Sequence, residues 1–285
     1  MIVVAVVVLC AAGVLWWRAD RTPDSDTPQA AQLHQVHLGD SFASGAGTDP
    51  LVPDAQFTCQ QSSLNFGELV AARHGHRLTD VSCAGAWTKS LYDGQYEGVG
   101  PQLDALTPDT DLVTLMLGGN DATLYSTLVG DCARVEPSDP DGAPCRAELG
   151  SEPTRAVDEE IEPAVERALR DIAERAPRAR VVIAGYPWLV PADQSCRPKV
   201  RIADGDIAFV RRVQGRLNDA IAKAAAETGA TFVDMAQRSD GHDACAPEGV
   251  RWIEPMTGTT ARVTMHPNEA GQRALADAVD SALRS

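Results

Sequence analysis

The chain has 285 residues, enough for a large core, and its 44% hydrophobic content is ordinary for a globular protein. Its formal net charge of -15 at pH 7 excludes a basic nucleic-acid-binding surface and disfavours attraction to anionic lipid headgroups. We therefore expect no nucleic-acid partner and a soluble, monomeric protein.

The N-terminal segment has the character of an export signal. Residues 2–17 carry no charge, and Arg18 and Arg21 follow them. This run is short for a membrane span of roughly 20 residues and long for a signal-peptide core of roughly 7–15 residues. We predict that residues 1–18 are a signal peptide that is cleaved, or a membrane anchor that is kept as a tether. Residues 19–32 lack bulky side chains and predict a flexible linker, so the folded domain is expected at 33–285.

Short apolar runs and longer amphipathic runs alternate along the rest of the chain. The former predict strands at 35–38, 77–81, 112–117, 180–184 and 230–233, and the latter predict helices at 65–74, 153–175, 207–227 and 267–283. Strands that alternate with helices indicate a parallel sheet with helices on both faces, whose ligand site lies at the carboxyl ends of the strands. Three irregular segments, 131–151, 187–204 and 236–263, are predicted to be loops around that site.

The cysteines support export. Apart from Cys10, the chain has an even number of them, and an even number behind a signal-like segment is typical of disulfides. The alternative is a zinc site, but the sequence has no Cys-x-x-Cys or Cys-x-x-His pair. We expect disulfides and no bound metal.

Three separated motifs contain the parts of a serine acyl-transfer site. Gly39-Asp40-Ser41 follows the first predicted strand, Gly118-Gly119-Asn120-Asp121 follows the strand at 112–117, and His266-Pro267-Asn268 lies near the end of the chain, with Gly85 between the first two. Acyl transfer by serine needs a hydroxyl, a base that deprotonates it, and hydrogen-bond donors for the oxyanion. Each motif alone is weak evidence for such a site. The prediction depends on the order of the motifs in the chain and on their positions after predicted strands.

These motifs, together with Ser82-Cys83-Ala84-Gly85-Ala86 and Gly241-His242-Asp243-Ala244-Cys245, resemble the SGNH hydrolase superfamily, also called GDSL esterases and lipases. The resemblance is closest to its secreted actinobacterial branch. It implies an α/β fold, a three-layer α/β/α sandwich with a central parallel sheet of about five strands, and ester hydrolysis without a metal or cofactor. It also implies sequential disulfides, which are Cys59–Cys83, Cys132–Cys145 and Cys196–Cys245.

The resemblance assigns a role to each residue of the site. Ser41 is the expected nucleophile and His266 the general base. The expected oxyanion donors are the side-chain amide of Asn120 and the backbone N–H groups of Gly85 and Ser41. Asp40 and Asp121 are expected to hold the site through hydrogen bonds rather than to carry protons.

One position departs from the common family pattern, in which an aspartate three residues before the histidine orients its ring. Here that position is Val263, whose side chain cannot accept a hydrogen bond. The resemblance to the actinobacterial branch, some of whose members work as a Ser-His dyad, favours the Val263 backbone carbonyl as the group that orients the ring. The alternatives are the carboxylates of Asp243, Asp240 and Glu254.

The sequence therefore predicts an exported serine esterase or lipase that hydrolyses carboxylic esters. A phospholipase A or a cell-envelope O-deacetylase is the alternative within the same chemistry, and a non-catalytic, envelope-tethered binding module is the alternative from another class. A binding module has no need of Ser41, Gly85, Asn120 and His266 together, which argues against it. Trp188 and Trp252 are candidates either for an acyl pocket or for the cores of the loops.

Overall fold

A parallel five-stranded sheet lies at the centre of the computed structural model, which describes residues 32–285. The predicted export signal at 1–18 and nearly all of the predicted linker lie outside the described residues. The strands are β1 (His34–Gly39), β2 (Arg77–Asp80), β3 (Leu112–Met116), β4 (Arg180–Ala184) and β5 (Thr231–Val233), in the order β2-β1-β3-β4-β5. Every neighbouring pair is parallel, as the sequence predicts.

Helices cover both faces of the sheet and complete the predicted three layers. One face carries α2 packed against α9, and the other carries α7 packed against α8. Long apolar strands such as β3, which is buried at every position, are expected of a sheet that is covered on both faces. The helices are α1 (Ser41–Ser44), α2 (Phe66–His74), α3 (Leu124–Ser126), α4 (Cys132–Val135), α5 (Pro144–Leu149), α6 (Glu152–Ala156), α7 (Glu162–Arg175), α8 (Ile207–Thr228) and α9 (Glu269–Arg284).

The strand order places a topological switch between β1 and β3. From β1 the chain crosses to β2 on one side and then returns to β3 on the other side of β1. Connections on the two sides leave in opposite directions, which opens a crevice above the carboxyl ends of β1 and β3. Residue Met116 at the end of β3 is in register with Gly39 at the end of β1, so the segments that follow them are neighbours.

Three predicted elements differ from the structure. The single helix predicted at 153–175 is α6 and α7 joined by a π-helical turn, Val157–Ile161, because Pro163 has no N–H to donate to the preceding turn. The last helix is predicted to begin at Pro267, but α9 begins after Asn268, whose side chain accepts a hydrogen bond from the Gly271 N–H at 3.0 Å and caps the helix. The loop predicted at 131–151 contains α4 and α5.

The structure contains the three sequential disulfides, Cys59–Cys83, Cys132–Cys145 and Cys196–Cys245. The first disulfide also holds the segment of Cys59 next to the segment of Gly85, the predicted oxyanion donor. The Ala84 N–H, one residue before Gly85, donates to the Cys59 carbonyl at 3.0 Å. Within residues 32–285, no helix is both long enough and apolar enough to cross a membrane.

Candidate active site

Ser41 lies at the carboxyl edge of the sheet because the chain turns sharply at Gly39. The φ angle of Gly39 is +128°, and a Cβ there would lie 2.2 Å from the Met116 carbonyl oxygen, so only glycine fits. Asp40 then caps α1 by accepting a hydrogen bond from the Phe42 N–H at 2.9 Å. This cap places Ser41 at the first position of α1, with its side chain at the wall of a cavity.

The hydroxyl of Ser41 lies within hydrogen-bond distance of the imidazole of His266. The distance from His266 Nε2 to Ser41 Oγ is 2.7 Å, and the other ring nitrogen, Nδ1, lies 2.8 Å from the Thr264 carbonyl oxygen. A carbonyl oxygen can only accept, so Nδ1 carries the proton and Nε2 is the free base. The neutral tautomer held in this way is able to accept the Ser41 proton, which is what a general base requires.

The group that orients His266 is the carbonyl of Thr264, so the prediction of the Val263 carbonyl is wrong by one residue. The physical reason is the backbone at Met265, whose φ angle of +56° reverses the chain between Thr264 and His266. In this conformation the carbonyl two residues before the histidine, rather than three, faces the ring. Val263 instead lines the cavity.

None of the three alternative carboxylates orients the His266 ring among the contacts of the described residues. Asp240 pairs with Arg211, and Asp243 accepts a hydrogen bond from the Cys245 N–H at 2.8 Å. Glu254 is committed to a buried ion pair with Arg251 at 3.0 Å and to the Thr260 N–H at 2.8 Å. The arrangement is therefore a Ser-His pair with a neutral carbonyl behind the histidine.

Glu254 holds the segment that carries His266. Its backbone N–H donates to the His266 carbonyl at 2.9 Å, and its own carbonyl accepts from the Met265 N–H at 2.8 Å. Burial alone would raise the pKa of Glu254, but hydrogen bonds from the Thr260 N–H and from Asn268, Arg251 and Thr259 outweigh it and hold the pKa at about 2. The carboxylate therefore stays ionised at neutral and mildly acidic pH.

Asn120 and Gly85 lie beside Ser41 on the walls of the same cavity. One hydrogen of the Asn120 side-chain amide is donated to the Ala86 carbonyl at 2.8 Å, which fixes the amide and leaves the second hydrogen for a ligand. Gly85 has a φ angle of +80°, a conformation that favours glycine. The N–H groups of Gly85 and Ser41 have no acceptor within residues 32–285. These three donors can surround an oxyanion.

Asp121 joins the segment of Gly85 to the turn of Asn120. Its carboxylate accepts from the Thr88 N–H at 3.0 Å and from the Thr88 hydroxyl. Burial raises the pKa of Asp121, while the hydrogen bonds from Thr88 oppose that shift. The side chain holds the backbone of Thr88, and none of its hydrogen bonds within residues 32–285 is to the Ser41 hydroxyl.

Tyr186, which follows β4, links the Gly39-Asp40-Ser41 motif to the Gly118-Gly119-Asn120-Asp121 motif. The sequence did not predict this role. Its hydroxyl accepts from the Gly119 N–H at 2.8 Å and donates to the carboxylate of Asp40. Burial raises the pKa of Asp40 to about 7, against the hydrogen bonds from Tyr186 and the Phe42 N–H. The only sequence signal for this role is that Gly185-Tyr186 lies at the carboxyl end of a predicted strand.

A cavity of about 470 Å³ opens beside Ser41, within the usual size range of small-molecule sites. Tyr125, Val129, Leu189 and Met265 give it a largely apolar wall, and the sequence singled out none of them. The two tryptophans considered for an acyl pocket are not part of this wall. Trp188 stacks on Arg211 at 4.0 Å, and Trp252 stacks on His242 at 4.1 Å between ring centroids.

We predict that kcat/KM rises through a midpoint below 6.5. Burial of His266 disfavours its imidazolium and lowers its pKa, and the hydrogen bond to the Thr264 carbonyl only partly opposes this shift. A lowered pKa keeps the base neutral, and the enzyme active, to lower pH. The measurement is kcat/KM against pH with a non-ionising soluble ester.

Asp40 supplies the control for this profile, because its pKa of about 7 makes it the other group at the site that could titrate in this range. We expect Asp40→Asn to lower activity without moving the midpoint. If the midpoint lies near 7 and the pH dependence disappears in Asp40→Asn, the rise in kcat/KM reports ionisation of Asp40 instead of His266.

Comparisons with known proteins place this geometry in context. The model of a family described as the GDSL-like lipase/acylhydrolase family matches residues 37–274. Lipase 2 of Streptomyces coelicolor is 43% identical over 281 residues, which cover 96% of this chain and 92% of that protein.

Two solved structures resemble the chain over most of its length. Phospholipase A1 from Streptomyces albidoflavus NA297 has a TM-score of 0.76 and 25% identity, and the match covers 88% of this chain and 100% of that one. An extracellular lipase from Streptomyces rimosus has a TM-score of 0.74 and 27% identity, and the match covers 88% of this chain and 99% of that one.

Proposed function

Because the chain belongs to the GDSL-like lipase/acylhydrolase family and is a carboxylic ester hydrolase, we propose that Ser41 and His266 form its catalytic dyad. The family is the one that the motifs resemble, the SGNH hydrolases. The observation that carries the assignment is the 2.7 Å contact between His266 Nε2 and Ser41 Oγ. The donors of Asn120 and Gly85 flank the same cavity and support it.

The proposed reaction has two halves. Ser41 Oγ attacks the ester carbonyl carbon while His266 Nε2 takes the hydroxyl proton, and the carbonyl oxygen becomes an oxyanion. The Asn120 amide and the N–H groups of Gly85 and Ser41 stabilise that charge. His266 then gives the proton to the leaving alkoxide, and the acyl group stays on Ser41. Water that is deprotonated by His266 attacks the acyl-enzyme and releases the acid and the free serine.

The Thr264 carbonyl limits how strongly the imidazolium is stabilised. It fixes the tautomer of His266 through Nδ1 but contributes only a dipole, whereas the aspartate of a triad contributes a full charge. The resulting base is weaker than that of a triad, and burial lowers the pKa of His266 as well. We propose that the acyl chain lies against the apolar wall formed by Tyr125, Val129 and Leu189.

We also propose that the protein is exported and that residues 33–285 form the hydrolase domain, preceded by a linker and a signal or anchor at 1–18. The uncharged run at 2–17 and the disulfides support export, since such bonds persist in oxidising compartments. The extracellular lipase of Streptomyces rimosus is consistent with this location. Whether the first segment is cleaved or kept as a tether is decided by the N-terminal sequence of the exported protein.

The dyad predicts that no single carboxylate is essential. The substitutions Asp240→Asn, Asp243→Asn and Glu254→Gln should each lower kcat by less than about tenfold, because none of these groups contacts the His266 ring. Removal of a true triad aspartate costs about 10⁴ in kcat, so the two mechanisms are far apart. The measurement is kcat on a soluble p-nitrophenyl ester, corrected for the folded fraction at the assay temperature.

Thr264→Ala is the matched control, since it keeps the carbonyl that binds Nδ1 and removes only the side chain. It should also be mild. A folded Asp240→Asn or Asp243→Asn variant that loses a thousandfold or more would demonstrate a triad and reject the dyad.

A further inference from the structure

Four exposed aromatic side chains lie in segments 54–59 and 84–97, which meet at Ala84 in the cavity wall; one of them, Tyr92, donates to Asp171. Phe57 is 70% exposed, Trp87 is 45% exposed and Tyr96 is 42% exposed. Scattered exposed apolar residues are normal on soluble proteins, but several of them on segments that border one functional site indicate an interaction surface. We refer to Phe57, Trp87 and Tyr96 as the aromatic rim.

The members of the aromatic rim come from separate segments that converge on Ala84. The Tyr96 hydroxyl donates to the Ala84 carbonyl at 3.2 Å, and Trp87 follows Ala84 by three positions. Phe57 begins the short turn Phe57–Cys59, and the Cys59 carbonyl accepts from the Ala84 N–H at 3.0 Å. A hydrogen bond of 3.0 Å from the Gln56 side chain to the Glu97 carbonyl also joins the segments of Phe57 and Tyr96.

The aromatic rim is continuous with the catalytic cavity, because Ala84 and the adjacent Gly85 form part of the cavity wall. It is also rigidly held, since the Cys59–Cys83 disulfide joins the segments that carry Phe57 and Trp87. A surface that contacted the rim would therefore lie directly at the entrance to Ser41. Aromatic side chains prefer the boundary between water and the acyl region of lipid, where they bury apolar area.

The negative charge around the aromatic rim favours a lipid surface without net charge over an anionic one. Segments 54–59 and 84–97 together contain the carboxylates of Asp54, Asp93 and Glu97 but only one cation, Lys89, which pairs with Asp93. The whole chain also has a net charge of -15. An anionic membrane would repel this surface, whereas a lipid surface without net charge would not.

We propose that the aromatic rim docks the enzyme on the surface of a lipid aggregate that has no net charge, with Phe57 and Trp87 inserted. The inference rests on the proposed function and adds to it the physical form of the substrate, an ester presented in a lipid surface. Docking holds the entrance of the cavity against that surface and lets an acyl chain pass between lipid and cavity without crossing water.

The test uses vesicles of phosphatidylcholine and the variants Phe57→Ser, Trp87→Ser and their double. Tyr96 is left unchanged because its hydroxyl holds the Ala84 carbonyl. Leu33→Ser is the matched control: Leu33 is 49% exposed but precedes β1, at the opposite end of the sheet from Ser41. Vesicle flotation measures the partition coefficient, and p-nitrophenyl acetate measures hydrolysis of a soluble ester.

We expect each single variant to lower the partition coefficient up to about tenfold and the double variant to lower it at least tenfold, as loss of an inserted ring implies. Leu33→Ser should stay within twofold of the natural protein, and all variants should keep soluble-ester hydrolysis within twofold. Soluble-ester hydrolysis tests the proposed function separately, because vesicle binding does not need turnover.

Three results would overturn the proposal. One is natural protein that does not bind phosphatidylcholine vesicles, and another is binding that Leu33→Ser weakens as much as the rim variants do. The third is sedimentation that shows a dimer for the natural protein and a monomer for the double variant, since a second copy of the chain would then cover the aromatic rim.

Discussion

Replacement of Ser41 by alanine is expected to lower kcat at least a thousandfold and to leave the fold intact. Among residues 32–285, the Ser41 hydroxyl is the group that His266 Nε2 contacts, at 2.7 Å, and its removal leaves the base with water as the molecule that it can activate. The residual rate then comes from the oxyanion donors and from substrate binding. The turn at Gly39 and the cap at Asp40 do not involve the hydroxyl, so α1 should be unchanged.

Ser126→Ala provides a matched control for this experiment. Ser126 also lines the cavity, but its hydroxyl donates to the Thr123 carbonyl at 2.8 Å and has no contact with His266. We expect it to keep kcat within a few-fold. If Ser41→Ala kept more than a tenth of the kcat of the natural protein, Ser41 would not be the nucleophile.

The second large effect is expected for Asn120→Ala, which should lower kcat with little change in KM. The amide of Asn120 is oriented by the Ala86 carbonyl at 2.8 Å, and its second hydrogen is free to meet the oxygen on which charge develops. Removal of one such donor costs roughly 2.7–4 kcal/mol, or about 10²–10³ in kcat. The carbonyl of the bound ester gains far less from the donor, so KM should barely move.

Asn120→Asp is the companion variant for Asn120→Ala, because it keeps the size of the side chain but replaces the donor by a carboxylate. It should be at least as damaging, since its charge repels the oxyanion. Thermal unfolding of both variants checks that the fall in kcat does not come from a loss of stability caused by removal of the hydrogen bond to Ala86. A change confined to KM would reassign Asn120 to the binding of the ground-state ester.

The parallel sheet and the positions of Ser41 and Asn120 at its carboxyl edge followed from the sequence because they depend on short-range signals. A buried apolar run that ends in glycine predicts where a strand stops, and the carboxyl ends of parallel strands meet at one edge. Residues Ser41 and Asn120 each follow such a run, so their separation by 79 positions in the chain did not hide their proximity.

The parts that the sequence did not predict depend on backbone conformation or on contacts across the fold. The carbonyl that contacts His266 Nδ1 belongs to Thr264 rather than Val263 because Met265 has a positive φ angle. A methionine rarely adopts this conformation, and no sequence pattern predicts it. Tyr186 joins Asp40 to Gly119 across three strands, and an isolated tyrosine carries no local sign of that role.

Labelling with a fluorophosphonate, which reacts preferentially with an activated serine hydroxyl, tests the central claim most directly. The natural protein should take up one phosphonyl group, and peptide mass spectrometry should place it on Ser41. His266→Ala should slow the labelling by orders of magnitude, since Nε2 is what activates the hydroxyl, and Ser126→Ala should label at the normal rate. A label on any other residue, or equal labelling in Ser41→Ala, would contradict the assignment of Ser41 as the nucleophile.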